Sequence, residues 1–546
     1  MSTLIDTFAR DRLPPKSQWP EFLFPLPGLQ YPARLNAAAE LLDRAVAEGD
    51  GNRPAIWMPV EGKPVCATYA QLQNRVNRVA QVLTEDFGLK PGNRVLLRGP
   101  NNAMMAVCWL AAIKAGLIAV ATMPLLRAKE LKQVIDRAQI THALCSQPLW
   151  QEIANCMIPN GEHFCPTLTR VGYFDDGEGG SIEELLSFKS GEYTAVDTAA
   201  DDIAMIAFTS GTTGEPKGTV HFHRDIIAMC DCFPRSCLKA TKDDIFCGTP
   251  PIAFTFGLGG MLAFPMRARA STVLVEKLNP DLLLRTIDNF KATVCFTAPT
   301  FYRQMAALAK AHKLKSLKKC VSAGEALPDA TRQLFKEATG IEIIDGIGAT
   351  EMMHIFISHT PETVRRGATG RAIPGYIAQV QDENGHECPP GTVGKLAVKG
   401  PTGCRYLDDP RQVNYVKNGW NLTGDAYLMD ADGYFFYQAR TDDMIISAGY
   451  NIAGPEVESC LLAHEAVAEC GVVGQTDADR GQVVKAYVVL KPGYYGNQAM
   501  TKTLQDYVKN AIAPYKYPRA IEYVESLPRT ETGKLQRFRL RQLAAV

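Results

Sequence analysis

The chain has 546 residues, more than one hydrophobic core supports, so we expect at least two domains. Apolar residues make up 46% and charged residues 21% of the chain, as is usual for a globular protein. The 58 Lys and Arg balance the 58 Asp and Glu, and this neutrality argues against a dedicated surface for nucleic acid or an anionic membrane.

The N-terminal stretch MSTLIDTFARDRLPPKSQWPEF lacks the apolar segment of a signal peptide, so we expect no export. The 15 Cys are scattered without a Cys-x-x-Cys pair, which is typical of reduced thiols in the cytosol. The most apolar stretch, residues 103–126, is interrupted by Lys114, Gly116 and Pro124. It predicts a buried helix followed by a buried strand rather than a membrane span, and we expect a cytoplasmic protein.

Up to about Gly367, short β-branched runs alternate with helical patterns. The runs predict strands at 94–97, 117–122, 203–208, 271–275, 293–297 and 342–344. Amphipathic stretches predict helices at 69–87 and 279–289. This alternation indicates an α/β fold in which parallel sheets are flanked by helices.

After Gly367 the pattern changes. Turns rich in Gly, Pro, Asn and Asp separate predicted strands at 377–381, 394–398 and 434–437, which indicates a β-rich subdomain. The last hundred or so residues predict a compact α+β unit with helices at 454–463 and 500–511 and strands at 467–474 and 483–490. The short polar stretch QARTDDMI (438–445) is typical of a hinge between rigid bodies. We therefore expect a large N-terminal domain (1–439), a hinge (440–442) and a small mobile C-terminal domain (443–546).

The stretch FTSGTTGEPKGTVHFHRD (208–225) concentrates small donors and one cation. It follows the predicted strand 203–208, and ligands of open α/β sheets bind at the carboxyl ends of strands. The loop 209–218 can surround phosphate with main-chain N–H groups and hydroxyls, and Lys217 adds a positive charge; its residues are Thr209, Ser210, Gly211, Thr212, Thr213 and Gly214. The glycine spacing is not that of a P-loop, and the alternative is a flexible surface loop. His221 and His223 lack a nearby third ligand, so we expect strand or packing positions rather than a metal site.

The segment TSGTTGEPKG resembles the phosphate-binding signature of the adenylate-forming enzymes, a family that includes acyl-CoA synthetases, peptide-synthetase adenylation domains and luciferases. Further stretches resemble that family in the expected order: SAGEALP (322–328), DGIGATE (345–351), NLTGD (421–425), RTDDMIISAGYNI (440–452) and PRTETGKLQRFRLR (528–541). The resemblance covers essentially the whole chain. It implies that a carboxylate is activated with ATP and Mg²⁺ as an acyl-adenylate and is then transferred to CoA.

The resemblance also implies roles for individual residues. Asp345 would accept from the adenine amino group, and the rest of the adenine pocket would be Gly324, Glu325, Gly346 and Ile347. Ile347 stands where the family usually has an aromatic residue, so an aliphatic face would replace ring stacking. Thr350 would contact the α-phosphate and Glu351 would hold Mg²⁺. Taken alone, Glu351 is better explained as a carboxylate at a helix N-terminus.

The other implied roles lie further along the chain. Asp425 would accept from the ribose hydroxyls with Arg440 beside it, where the alternative is a surface ion pair. Asp442 would be the hinge residue, and Gly449 would line the channel for the pantetheine arm of CoA. Lys534 would be the catalytic lysine, which stabilises charge between the attacking carboxylate and the α-phosphate.

Two stretches bear on the acid. PIAFTFGLGG and DGIGATEMMHIF resemble the benzoate-CoA ligase group, and the N-terminal residues resemble 2-aminobenzoate-CoA ligases more closely still. By position the acyl pocket would comprise Phe254, Thr255, Phe256, Gly257, Gly324, Gly346, Ile347, Gly348, His354 and Ile355. The phenylalanines offer flat walls for a ring, the glycines would leave a slot, and Thr255 and His354 could meet an ortho amino group. A packing role for His354 stays equally open.

Other functions stay open on the sequence alone. The same fold could act on benzoate, a hydroxybenzoate or a small aliphatic acid, or it could load a carrier protein, although no carrier domain is seen. A non-catalytic nucleotide-binding protein is a different class, and it would not need Lys534, Glu351, Asp425 and Arg440 together. The expected partners are a small aromatic acid, ATP and CoA, with a homodimer left open.

Overall fold

The computed structural model describes residues 2–174, 181–209, 215–447, 450–477, 480–529 and 535–544, without the side chains of residues 442, 450 and 451. The strands within these ranges are β1 (Pro54–Val60), β2 (Lys63–Thr68), β3 (Arg94–Arg98), β4 (Ile118–Thr122), β5 (His142–Ser146), β6 (Arg170–Phe174), β7 (Ile203–Thr209), β8 (Lys217–Phe222), β9 (Ile245–Gly248), β10 (Ser271–Val273), β11 (Val294–Thr297), β12 (Lys319–Ser322), β13 (Ile343–Gly348), β14 (Ile355–Ser358), β15 (Arg371–Ala372), β16 (Ile377–Gln381), β17 (Val393–Lys399), β18 (Val416–Lys417), β19 (Trp420–Met429), β20 (Phe435–Arg440), β21 (Ile445–Ser447), β22 (Tyr450–Ile452), β23 (Val467–Asp477), β24 (Gly481–Leu490) and β25 (Ala520–Tyr523).

The α-helices within the same ranges are α1 (Phe8–Asp11), α2 (Tyr69–Gln81), α3 (Ala103–Lys114), α4 (Ala128–Ala138), α5 (Trp150–Asn155), α6 (Ser181–Leu186), α7 (His223–Phe233), α8 (Thr255–Leu258), α9 (Phe264–Arg267), α10 (Pro280–Phe290), α11 (Pro299–Leu308), α12 (Asp329–Thr339), α13 (Gln412–Tyr415), α14 (Gly454–Leu462), α15 (Gln498–Ala511) and α16 (Arg537–Ala544). π-helical turns extend α2 through Val82–Asp86 and join α8 to α9 through Gly259–Ala263.

Local sequence explains where several helices begin. The Asn102 side chain accepts from the Met105 N–H and starts α3, and Asn279 does the same for α10, whose first residue is Pro280. The apolar stretch 103–126 folds, as predicted, into helix α3 followed by strand β4. No helix in the described part of the chain is long and apolar enough to cross a membrane.

Two large sheets form the N-terminal domain. In the described residues, one has the strand order β15-β14-β13-β12-β11-β9-β10-β1-β2 and the other the order β6-β5-β3-β4-β7-β8. The inner strands pair in parallel, as predicted, but β2, β8, β14 and β15 are antiparallel edges. The sheets are therefore mixed, because short hairpins close their ends where a purely parallel sheet would need another crossover.

The largest core lies between these sheets. It includes all of the buried apolar residues of α3, such as Trp109, together with Phe264 and Phe296. Separate cores cover the outer faces of the two sheets, and a further one fills the C-terminal unit. The parallel strands are thus covered on both faces, as α/β folds require.

The β-rich subdomain and the C-terminal unit follow in the predicted order. Strands β16 to β20 form an antiparallel sheet, and β21 to β25 form a second sheet packed with α14 and α15. Strand β20 ends at Arg440, a single 3₁₀ turn covers Thr441–Asp443, and β21 begins at Ile445. The connection between the two units is therefore one short turn at the position of the predicted hinge.

Candidate active site

The β7–β8 hairpin carries the first part of the site. Thr209 at the end of β7 pairs with Lys217 at the start of β8. The sequence prediction put Lys217 and Gly218 in a loop, and this is wrong: both belong to β8, because antiparallel pairing continues through them. Lys217 therefore projects from a strand, a more rigid support than a loop. The Thr209 hydroxyl is buried without a hydrogen-bond partner in the described residues.

Lys217 belongs to a cluster with Tyr406 and Glu351. Its Nζ donates to the Tyr406 Oη at 2.9 Å, and that hydroxyl donates to Glu351 Oε1 at 2.5 Å. The Lys217 Nζ and Glu351 Oε1 are 3.7 Å apart. The side chain of Glu351 is only 10% exposed, and no hydrogen bond engages its Oε2 in the described part of the chain. A cation and a carboxylate thus face the same space, with a hydroxyl between them.

Glu351 lies in a single 3₁₀ turn, Thr350–Met352, that follows β13. The Thr350 carbonyl accepts from His221 Nε2 at 2.8 Å, so this nitrogen carries the hydrogen. We expected His221 and His223 to be strand or packing residues. His221 lies in β8 and His223 begins α7, and both are fully buried. His221 also supports the turn that presents Glu351. The described residues contain no group of three or more potential metal-ligating side chains.

The predicted adenine pocket is built at the carboxyl ends of β12 and β13, which pair in parallel. Gly324 follows β12 with φ of +92°, a conformation that side chains rarely adopt. Asp345 lies in β13, where burial raises the pKa of its carboxyl to about 7. Its Oδ1 is buried and has no hydrogen-bond partner in the described residues. Ile347 is half-buried two residues further on.

The predicted ribose pair, Asp425 and Arg440, sits directly across strands β19 and β20. Arg440 Nη1 donates to Asp425 Oδ1 at 3.0 Å and to the Thr423 carbonyl at 3.1 Å. Burial raises the pKa of Asp425, Arg440 opposes the shift and Glu351 adds to it, so the two carboxylates lie within electrostatic reach. Asp345 and Asp425 likewise both raise the pKa of Tyr427. The Asp425 side chain is only 10% exposed but that of Arg440 is 49% exposed, so the pair reaches the surface, and the effect of Glu351 on the pKa of Asp425 links it to the rest of the site.

The predicted acyl pocket gathers around His354. Its Nε2 donates to the Phe256 carbonyl at 3.3 Å, and its ring packs against four aromatic rings, those of Phe233, Phe256, Phe264 and Phe296. Burial lowers the pKa of His354 to about 3, so the imidazole is neutral. Its Nδ1 is buried without a hydrogen-bond partner in the described residues. His354 therefore packs among aromatic rings, and its Nδ1 is an acceptor without a partner in the described residues. Of the other expected members, Phe254 precedes α8, Thr255 begins it and Ile355 begins β14.

Three of the pocket glycines serve packing rather than an open slot. A Cβ on Gly257 would lie 2.0 Å from the Pro251 carbonyl oxygen, and one on Gly348 would lie 2.7 Å from the His354 oxygen. At Gly346 it would meet the Ile355 side chain at 2.8 Å. The interpretation that these glycines leave room for the substrate is wrong at these positions, because neighbouring protein atoms fill the space.

Several predicted residues cannot be placed. Ser210, Gly211, Thr212, Thr213, Gly214, Gly449 and Lys534 lie outside the described residues, as does the side chain of Asp442. Near Lys534, the Leu535 N–H donates to Glu325 Oε1 at 3.3 Å, and Arg529 Nη1 lies 3.9 Å from the same oxygen. The C-terminal unit thus touches the N-terminal domain one residue after Gly324.

Sequence reasoning missed Tyr406. It lies in the stretch GCRYLDDP, which carries no motif, and a lone tyrosine there predicts only a packing residue. Its role depends on a pairing of residue 406 with Thr219 of β8, which brings distant parts of the chain together. Only the strand register shows that its hydroxyl reaches Lys217 and Glu351.

Comparison with known families matches both units of the chain. Residues 43–405 match the family model described as AMP-binding enzyme, and residues 456–534 match the AMP-binding enzyme C-terminal domain.

Known proteins match over nearly the full length. A benzoate–CoA ligase from Thauera aromatica is 36% identical over 524 residues, which cover 94% of this chain and 97% of that protein. A mitochondrial acyl-coenzyme A synthetase, ACSM3, from Rattus norvegicus is 31% identical over 535 residues, with coverage of 94% and 91%.

Solved structures also match this chain over nearly its full length. An anthranilate CoA ligase in complex with anthranoyl-AMP superposes with a TM-score of 0.88 at 32% identity, covering 95% of this chain and 99% of that one. A benzoate CoA ligase from Burkholderia xenovorans LB400 superposes with a TM-score of 0.83 at 31% identity, covering 93% and 100%.

Proposed function

The chain belongs to the AMP-binding enzyme family, and we propose that it is an acid–thiol ligase that activates an aromatic carboxylate, with 2-aminobenzoate as the preferred acid. The carboxylate reacts with ATP to give an acyl-adenylate and pyrophosphate, and CoA then takes the acyl group and releases AMP.

The observation that carries the reaction class is the Lys217–Tyr406–Glu351 cluster, and the buried Asp345 Oδ1, unpaired in the described residues, supports it. A nucleoside triphosphate would supply a partner for each of these groups. Lys217 offers a cation to phosphate, the buried Thr209 hydroxyl offers a donor, and Asp345 Oδ1 offers an acceptor to the adenine amino group. A binding site for a neutral ligand would not need this arrangement of charge.

The residues present also fit Mg²⁺. Glu351 keeps Oε2 available while Tyr406 occupies Oε1, and a carboxylate oxygen is the ligand that this hard cation prefers. When bound, Mg²⁺ would supply positive charge to the ATP phosphates.

In the first half-reaction a carboxylate oxygen of the acid attacks the α-phosphorus. A new O–P bond forms while the bond to the β-phosphate bridge oxygen breaks, and pyrophosphate leaves. Lys217 holds the departing phosphates, and His221 keeps the Thr350 turn in place. Asp425 holds the ribose hydroxyls, with Arg440 favouring its ionised form. Lys534, outside the described residues, is proposed to bridge the attacking oxygen and the α-phosphate.

In the second half-reaction the CoA sulfur attacks the acyl carbon, and the C–O bond to AMP breaks. We propose that the C-terminal domain (443–546) turns about residues 440–442, with Asp442 as the hinge residue. The movement would withdraw Lys534 and bring Gly449 to the channel for the thiol. The short 3₁₀ turn Thr441–Asp443 supports this, because few main-chain torsions have to change.

The choice of 2-aminobenzoate rests on His354. Its buried Nδ1 accepts from no donor in the described residues, and burial of an unpaired polar atom costs about 1–3 kcal/mol. An ortho amino group supplies a donor and benzoate does not. The anthranilate CoA ligase that superposes on the chain adds support. Benzoate is the second candidate, favoured by the apolar walls of Phe256 and Phe296 and by the benzoate–CoA ligase relatives.

The test is release of pyrophosphate and AMP from MgATP with 2-aminobenzoate, benzoate, 4-hydroxybenzoate or octanoate, each with and without CoA. We expect CoA-dependent turnover with the highest kcat/KM on 2-aminobenzoate. Highest kcat/KM on another acid would keep the reaction and change the substrate. ATP binding without turnover on any acid would point to the non-catalytic class instead.

A further inference from the structure

Asp409 holds two arginines that reach the β7–β8 hairpin. Its Oδ2 accepts from Arg137 Nη2 and from Arg411 Nη2, each at 2.6 Å. Its Oδ1 accepts from Arg411 Nε at 2.8 Å and from the Arg411 N–H at 2.9 Å. The side chain is only 1% exposed. Such a buried carboxylate in a two-pronged pair with arginine is a strong and directional contact.

The same arginines donate to the main chain just before Lys217. Arg137 Nη1 donates to the Pro216 carbonyl at 3.3 Å, and Arg411 Nη1 donates to the Glu215 carbonyl at 3.2 Å. Arg137 projects from the last turn of α4, which gives it a firm base. Two consecutive carbonyls at the entry to β8 are thus held from two different parts of the chain.

The segment that carries Asp409 also lies along β8. The Leu407 N–H donates to the Gly218 carbonyl at 2.8 Å, and the Val220 N–H donates to the Arg405 carbonyl at 2.7 Å. Tyr406, three residues before Asp409, holds the Lys217 ammonium. One segment therefore controls Lys217 at its side chain and, through the arginines, at the main chain that precedes it.

Charge supports a role beyond packing. A carboxylate beside a phosphate site would repel the ligand, yet Asp409 is matched by two guanidinium groups, which leaves the group of three with a net positive charge. Asp409 can therefore order both arginines without opposing an anion.

We propose that Asp409 is a positioning residue that, through Arg137 and Arg411, holds the β7–β8 hairpin so that Lys217 meets the phosphates of ATP. The inference rests on the proposed function, because it assigns phosphate binding to Lys217.

The experiment uses the full-length chain with Asp409→Asn, which keeps the shape and removes the charge. Loss of a charged hydrogen-bond partner predicts a rise of about tenfold in the KM for ATP in acid-dependent ATP–pyrophosphate exchange. The KM for the acid should stay within about twofold, since the acyl pocket is untouched. Arg137→Gln should show the same split and serves if Asp409→Asn fails to fold. The KM for ATP of the double variant should be little higher than that of either single variant, because both substitutions disrupt the same ion-pair cluster.

The matched control is Asp244→Asn. Asp244 is also a buried carboxylate paired with a cation, Lys319, but it precedes β9 at the amino ends of the strands, away from the site. The Asp244→Asn substitution should lower the free energy of unfolding and leave the KM for ATP unchanged. An unchanged KM for ATP in a folded Asp409→Asn protein, or equal rises for ATP and acid in both Asp variants, would overturn the inference.

The two proposals can fail separately. If the wild-type chain binds ATP but shows no exchange with any acid, the proposed reaction is wrong. Direct calorimetric titration with ATP then still decides the role of Asp409, and an affinity equal to wild type would reject it.

Discussion

At the residue scale, the proposed site contains buried polar side-chain atoms that a ligand is expected to pair. Asp345 Oδ1, His354 Nδ1 and the Thr209 hydroxyl each lack a hydrogen bond in the described part of the chain. Native proteins rarely leave such atoms unpaired, because each costs about 1–3 kcal/mol. A ligand that pairs them recovers this free energy, so these atoms indicate which groups the ligand must present.

His354→Phe tests the acyl specificity. The substitution keeps an aromatic ring among the phenylalanines and removes the Nδ1 acceptor. We expect kcat/KM to fall about 10-fold or more for 2-aminobenzoate and much less for benzoate, since only the first acid loses a hydrogen bond. Thr255→Val, at the start of α8, is the companion variant. An unchanged ratio of kcat/KM for the two acids would remove His354 from the specificity argument.

Asp345 should make ATP binding depend on pH. Burial raises the pKa of its carboxyl from 3.8 to about 7, so the group is half protonated near neutral pH. A carboxylate accepts from the adenine amino group more strongly than a carboxylic acid, so the KM for ATP should fall as pH rises through about 7. The measurement is KM for ATP between pH 5.5 and 8.5. In Asp345→Asn the KM for ATP should not change across that range. A KM that depends on pH as steeply as in the wild type would contradict the assignment.

The same shift affects stability with a definite sign. A folded-state pKa above the unfolded value means that the native state binds the proton more tightly. The stabilisation from Asp345 is therefore complete below about pH 4 and is lost as pH rises to about 7. Comparing unfolding midpoints of wild type and Asp345→Asn across this window provides a second readout of the same residue.

At the element scale, close approach of main chains shapes the proposed acyl pocket. The helical segment made of α8, its π-helical turn and α9 lies against the turn at Pro251, and within the β13–β14 hairpin Gly348 lies against the main chain of His354. Glycines at the contact points allow these elements to touch. The elements, and not gaps left by glycine, therefore set the shape of the pocket.

Gly257→Ala tests this packing. The new Cβ would lie 2.0 Å from the Pro251 carbonyl oxygen, which is main chain and cannot rotate away. We expect a loss of about 1–3 kcal/mol in the free energy of unfolding, seen as a lower midpoint in urea. Gly51→Ala is the control, because its Cβ would meet ordinary contacts at 3.5 Å. Equal midpoints for the two variants would show that the segment can shift at little cost.

At the scale of the whole molecule, Glu325 connects the two units. It receives the Leu535 N–H and lies near Arg529, while Thr300 donates to its other oxygen at 3.3 Å. The resemblance assigned Glu325 to nucleotide binding, which stays a prediction, and the structure adds contacts with the C-terminal unit. Leu535 directly follows the proposed catalytic lysine, so this contact would favour the arrangement used for adenylate formation.

Glu325→Gln should separate the half-reactions. A weakened contact of about 1 kcal/mol predicts a fall of about fivefold in acid-dependent pyrophosphate release. Thioester formation from supplied acyl-adenylate should be spared, because the proposed function assigns it to another domain arrangement. Lys534→Ala should show the same pattern with a larger loss. Glu469→Gln, which weakens a second contact of Arg529, within the C-terminal unit, is the control. Equal losses in both half-reactions would contradict a role in domain alternation.

The sequence by itself determined the elements and much of their chemistry. The strand at Ile377–Gln381 matches its prediction residue for residue, and the helix and strand within 103–126 are confirmed, because period and turn residues are local properties. The stretches around Asp345, Glu351 and Asp425 pointed to nucleotide chemistry through their resemblance to a known family, which short contiguous motifs suffice to show.

Only the tertiary structure showed which distant segments pair and which side chains they bring into contact. The antiparallel register of β7 and β8 moved Lys217 from a loop to a strand. The pairing of residue 406 with Thr219 brought the Tyr406 hydroxyl to Lys217 and Glu351, and Asp409 met Arg137 from 272 positions earlier in the chain. A periodic pattern shows which face of an element is buried but not which neighbour covers it. Contacts between distant segments follow from the packing of the whole chain.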